Sequence, residues 1–266
     1  MVAELESTSA HRSLTDAAQD GFAFRFEWGP NGLRALAPVV DVIVIVDVLR
    51  FTSAVSAAIE SGAVVFPYRW ADDHAGAYAA ARGAQLAGLR EHGGPSLSPT
   101  DLLALPAGTR LVLPSPNGSA LSFAARDHGA QHVLAGCLRN ATATANAARK
   151  LAGASGTIGV IAAGERWRGG TGPLRPSVED LLGAGAILAA LDPAASISAP
   201  GCSPEAAAAR AAFVGARPRL RDILPTTVSG RELIERGWAD DVDTSSALDV
   251  TSRAAVLLDD AFVACP

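Results

Sequence analysis

The stretch VVDVIVIVDV, residues 39–48, sets branched aliphatic side chains at consecutive positions, with no polar residue between Asp41 and Asp47. A short run of that kind suits a strand buried on both faces, as in largely parallel sheets covered by helices. The helical stretch SAVSAAIESG follows it, with Gly62 placed to end the helix. Three further units repeat the pattern: AVVFPYRW before ADDHAGAYAAARGAQLAG, TRLVLPS before NGSALSFAARDHG, and HVLAGCLRN before ATATANAARKLAG. TIGVIAAGERW and the loop GGTGPLRPS then lead into VEDLLGAGAILAALD, where Ser177 stands at an N-cap position. From about Pro193 the chain reads as mostly helical. The expected fold is α/β, a mainly parallel sheet flanked by helices in α/β/α layers. It is read as a single domain over residues 22–266, built as one body or two closely packed lobes, after a flexible polar tail at residues 1–21.

Composition narrows the partners. With 266 residues, 49% of them hydrophobic, the chain can bury a large core. A net charge of -5 provides no sequence-wide basic field for a phosphate backbone, so nucleic acid is not expected as a partner. Positive charge comes almost entirely from arginine, Lys150 being the sole lysine. Cys137, Cys202 and Cys265 are widely spaced and show neither disulfide nor zinc spacing, which suits a cytoplasmic protein. No apolar run reaches the roughly 18 residues that a membrane span needs, so no membrane association is expected. Helix-rich, alanine-heavy surfaces suit a homo-oligomer.

Ligands of open α/β sheets gather at the carboxyl ends of strands. Here four such ends carry polar clusters: DVLRFTS, PSPNGS, GCLRNAT and AAGERWRGG. Asp47 ends the most buried run, where an unpaired carboxylate is costly. It is either a helix cap or a partner of Arg50, or else a Mg²⁺ ligand. Asn117, Gly118 and Ser119 form either a plain β–α turn or a phosphate cradle at a helix N-terminus. Arg139 and Asn140 suit a second anionic group or a surface cap. Glu165, Arg166, Arg168, Arg175, Glu179 and Asp180 surround one loop; Glu179 and Asp180 either favour the helix dipole or reach the same cation as Asp47. Acids and arginines recurring at successive strand ends suit a dianion bridged by Mg²⁺ and clamped by arginine, which is phosphoryl chemistry.

Several familiar phosphate-handling sites are excluded: GxxxxGK[ST] and GxSxG are absent, and no GxGxxG follows the first strand. The five histidines fall in no HExxH spacing.

The pattern resembles the 2-phosphosulfolactate phosphatase (ComB-like) family. DVLRFTSAVSAAIESGA is similar to its D-[VM]-L-R-A-T-[ST] signature, SLSPTDL to its N-S-P loop, and PSPNGSAL to its T-N-G-T loop. GCLRNATATA, GERWRGGTGPLRPSVEDLLGAGAI and SGRELIERGWADDV resemble further collinear segments, so the likeness spans about residues 38–258. Phe51 and Leu97 replace the family's Ala and Asn, and LAGLREHGGPSLSPTDL lacks an acid that family members carry.

The resemblance implies a Mg²⁺-dependent phosphoric monoester hydrolase acting on a small anionic substrate, (2R)-O-phospho-3-sulfolactate, giving 3-sulfolactate and phosphate. It implies Asp47 and Arg50 as catalytic residues and Asp47, Glu179 and Asp180 as metal ligands. Thr52, Asn117, Gly118, Ser119, Arg139, Asn140, Glu165 and Arg166 are the expected substrate contacts. The alternatives are a phosphatase for another phosphorylated acid or a noncatalytic anion-binding relative. The attacking group is either water or Asp47 itself.

Overall fold

The computed structural model describes residues 17–69, 74–167, 172–194 and 201–266. Its main sheet has nine strands: β1 (Phe24–Trp28), β2 (Val42–Val46), β3 (Val64–Tyr68), β4 (Gln85–Leu86), β5 (Arg110–Pro114), β6 (His132–Gly136), β7 (Ile158–Ala162), β10 (Ala255–Leu258) and β11 (Ala261–Ala264). A separate two-stranded ribbon pairs β8 (Glu165–Arg166) with β9 (Leu174–Arg175). The order in the main sheet is β1-β7-β2-β6-β10-β11-β3-β5-β4. β1, β7, β2 and β6 form one parallel block, and β3, β5 and β4 form another. The antiparallel hairpin β10–β11 joins the two blocks and reverses the strand sense between them.

The helices are α1 (Gly29–Leu36), α2 (Phe51–Glu60), α3 (Ala75–Ala81), α4 (Pro99–Leu102), α5 (Gly118–Asp127), α6 (Ala141–Ala152), α7 (Val178–Leu191), α8 (Pro204–Ala216), α9 (Leu220–Ile223), α10 (Val228–Glu235) and α11 (Ala239–Ser246). β2 shows why its sequence lacks polar residues. Val42, Val44 and Val46 pack into a core with α6, α7 and α8, while Ile43 and Ile45 pack into another with α1, α2 and α5. Side chains alternate across a strand, so covering both faces demands an apolar residue at every position. The α/β fold read from the periodicity is the fold observed.

Several elements differ from the sequence reading, among them the short strand β4, which ends the stretch read as helical after AVVFPYRW. FRFEW forms the edge strand β1, and the C-terminal region contains two sheet strands as well as helices. In AVLLDDAFVA the turn residue Asp259 adopts φ 51°, the left-handed conformation that a two-residue hairpin turn requires. The tail read at residues 1–21 falls, up to residue 16, outside the described residues. Ala18 is buried, and Gln19 exchanges hydrogen bonds with the backbone of Phe26 in β1. No helix among the described residues is long and apolar enough to cross a membrane.

Candidate active site

Asp47 immediately follows β2 and is 6% exposed. Its Oδ1 accepts the Phe51 N–H at 3.2 Å, and its Oδ2 accepts the Gly118 N–H at 3.0 Å. The carboxylate therefore ties the start of α2 to the start of α5. Gly118 permits that approach because a Cβ there would lie 2.2 Å from the Phe51 ring and 2.9 Å from Asp47 Oδ2. Asp180, in the first turn of α7, braces the same corner. Its Oδ1 accepts the Val48 N–H at 2.7 Å, and its Oδ2 accepts the Gly164 N–H at 2.9 Å and the Ser177 hydroxyl at 3.0 Å. Ser177 does stand at the N-cap, but its hydroxyl donates to Asp180 instead of capping a helix N–H. Gly183 lets α7 press on this corner, since a Cβ would meet Val48 Cγ2 at 2.5 Å.

Asp47, Glu179 and Asp180 are all buried. Loss of water pushes the Asp47 carboxyl up to about 6; the Phe51 and Gly118 N–H groups oppose the rise, and the charges of Glu165 and Glu179 add to it. Burial likewise holds Asp180 well above the usual carboxylate range, with Asp47 and Glu179 adding to the effect.

Asp47 opens onto a cavity of about 220 Å³ lined also by Arg50, Ser115, Asn117, Glu165, Glu232 and Arg236. Glu165 Oε1 accepts from Asn117 Nδ2 at 3.2 Å and from the Arg166 N–H at 2.8 Å. Arg50 and Arg236 also line an adjoining cavity of about 700 Å³, together with Arg90, His92 and Trp238. Asp47, Arg50, Asn117, Gly118 and Glu165 are thus brought together as the sequence suggested.

Four expected substrate contacts are placed differently. The Thr52 hydroxyl donates to the Asp47 carbonyl at 2.8 Å, and Ser119 Oγ donates to the Leu113 carbonyl at 3.1 Å. Arg139 is bound to Glu60 at 2.7 Å and to the Thr244 carbonyl, while Asn140 closes its own turn through Cys137 N–H and the Ala135 carbonyl. All four side chains are buried in these internal bonds, and none of them lines the Asp47 cavity. The end of β6 lies next to the antiparallel hairpin and supplies scaffold there. Arg166 lines a neighbouring cavity of about 230 Å³ with Arg69 and Asn117. Arg175 stacks over Trp167, and Arg168 lies outside the described residues.

The expected three-carboxylate metal set is also corrected. Among the described residues, no three His, Cys, Asp or Glu side chains converge to hold a metal ion. Asp180 bonds into the corner it braces and, unlike Asp47, does not line the cavity. Mg²⁺ needs only one or two carboxylates, with water and phosphate completing its shell. Asp47 and Glu165, hard oxygen donors on one small cavity, fit that simpler requirement.

Ser229, Glu232, Leu233 and Arg236, from α10 and its C-cap, complete the wall and were missed in the sequence. Their spacing of 0, 3, 4 and 7 marks one helical face. The polar members of that face were the available signal.

A model of the family described as 2-phosphosulpholactate phosphatase matches residues 33–259. A 2-phosphosulfolactate phosphatase from Methanothermobacter thermautotrophicus is 30% identical over 222 residues, covering 81% of this chain and 86% of the relative. On this match, which takes in the strand ends and the α10 face that enclose the Asp47 cavity, the chain belongs to the 2-phosphosulpholactate phosphatase family and with it to the phosphoric monoester hydrolases.

Proposed function

We propose that the Asp47 cavity hydrolyses (2R)-O-phospho-3-sulfolactate, or a phosphorylated acid of similar size and charge, with Mg²⁺ as cofactor. The observation that carries this reading is a buried carboxylate, fixed by two backbone N–H groups, sharing a small cavity with two arginines and an asparagine amide. The substrate's phosphate, carboxylate and sulfonate together need several positive donors, and Arg50 and Arg236 provide them. Asp47 and Glu165 would hold Mg²⁺, which when bound offsets negative charge on the phosphoryl oxygens. The attacking group is a water that gives its proton to a carboxylate of the cavity, or Asp47 itself. Asn117 orients Glu165 through their hydrogen bond, and Arg50 draws the phosphate toward Asp47.

Phosphate release from a panel of phosphorylated small acids, assayed in Mg²⁺ and in EDTA, tests this. Wild-type protein is expected to turn over phosphosulfolactate only with Mg²⁺, and Asp47→Asn to lose about 10²–10⁴-fold in kcat. Release that persists in EDTA would remove the metal from the proposal, and release that survives Asp47→Asn would remove Asp47.

A further inference from the structure

Asp241, on α11, is 191 residues from Arg50 in the chain and has no exposed surface. Its Oδ2 accepts from Arg50 Nη1 at 2.6 Å and pairs with Arg90 Nη1 at 3.2 Å, while its Oδ1 accepts the Ser98 hydroxyl at 2.5 Å. Arg90 is itself bound by Asp240 at 2.6 Å and Asp101 at 3.3 Å. Trp238 lies under the Arg50 guanidinium, 4.6 Å from its ring centroid. Arg50 therefore reaches the Asp47 cavity already held on one edge and one face. Among the described residues, Asp241 accepts the hydrogen bonds of its guanidinium, through Nη1 alone. The remaining N–H donors of that planar fork are left for an oxyanion.

We propose that Asp241 is a positioning residue: without touching substrate, it fixes the Arg50 guanidinium in the orientation that receives the phosphoryl group. An arginine immobilised in advance loses little freedom when substrate arrives, and that pre-organisation is what the buried carboxylate contributes. The Ser98 hydroxyl holds the second carboxylate oxygen and so sets the plane in which Arg50 is bound. The inference rests on the phosphatase reading of the Asp47 cavity.

The test is a double-mutant cycle on phosphate release, with Asp241→Asn, Arg50→Gln and the pair, followed as separate kcat and KM values alongside thermal unfolding. Asp241→Asn is expected to lower kcat/KM by about 10- to 100-fold, the cost of a misplaced catalytic group. In the Arg50→Gln background the same change is expected to cost less than about 2-fold, because the group it positions is gone. If Asp241→Asn does not fold, Ser98→Ala takes its place in the cycle. Unchanged kinetics in the single variant would overturn the inference, as would an equal loss in both backgrounds, which would place the effect in the fold or in Arg90. Absence of turnover in the wild type would instead remove the phosphatase reading, and this inference with it.

Discussion

Burial, with the charges of Glu165 and Glu179 adding to it and the Phe51 and Gly118 N–H groups opposing it, pushes the Asp47 carboxyl from its ordinary 3.8 up to about 6. The folded state thus favours the neutral acid. Stability is lost as pH rises from about 4 to about 6 and stays lower above that window. Two units correspond to a penalty on the order of 2–3 kcal/mol at neutral pH. Asp47→Asn removes the charge but turns its NH₂ toward one of the two backbone N–H groups that the carboxylate binds. In EDTA the melting temperature of the wild type is expected to fall between pH 4 and pH 6, and that of the variant, which has no carboxyl titrating at this position, to lack this fall. Adding MgCl₂ is expected to raise the melting temperature of the wild type and leave that of Asp47→Asn in place, since only a ligand bound to the folded protein stabilises it. Differential scanning calorimetry over pH and Mg²⁺ concentration reads both outcomes; a variant that shows the same fall between pH 4 and pH 6 in EDTA would contradict the first. This residue was legible in the sequence because a charge at the end of an apolar strand is costly. Thr52 and Asn140 were misplaced because a short polar side chain beside a strand end serves a turn as readily as a ligand, and only coordinates distinguish the two.

Strands β2 and β7 begin with a side-chain clamp. Asp41 Oδ2 accepts the Thr157 N–H at 2.7 Å and its hydroxyl at 2.9 Å, and the Asp41 N–H returns a bond to the Thr157 carbonyl at 3.1 Å. The Thr157 N–H holds the Asp41 carboxyl below its ordinary 3.8, so its stabilisation is present above that pH and is lost as pH falls through the lower folded value. The clamp is near the surface, and Asp41→Ala is expected to cost about 1 kcal/mol at pH 7. Urea unfolding at pH 7 and at pH 3 checks this: the difference between wild type and variant should shrink at the lower pH, and a constant difference would assign the effect to packing. Among the elements, β2 and α7 were readable from runs of one residue class. β1, β10 and β11 were not, because apolar or alternating runs of only four or five residues are too short to tell a strand from a stretch of helix.

At the scale of the whole molecule, β10 and β11, which follow the other strands in the chain among the described residues, occupy the middle of the sheet. β10 pairs with β6, and β11 pairs with β3, so the C-terminal hairpin is the seam between the two parallel blocks. Phe262 is fully buried and meets Phe51, next to the Asp47 corner, with ring centroids 6.2 Å apart. Removing residues 253–266 would expose both inner strand edges and part of the core. The truncated chain is expected to lose cooperative unfolding and protease resistance; near-native circular dichroism with a sharp thermal transition would refute this. The sequence by itself determined the α/β class and the identity of β2 as a doubly covered strand, while Asp47, Arg50, Asn117, Gly118 and Glu165 stood out as candidates through their places at strand ends and the family resemblance. Local chemistry suffices for the class and the strand, since burial of an apolar run is a property of neighbouring residues. Tertiary structure alone decided that β6 ends in scaffold, that α10 closes the cavity with Arg236, and that Asp241 reaches back to Arg50. Those outcomes depend on which strands lie side by side and on contacts across more than a hundred residues, and neither is encoded in any short stretch of chain.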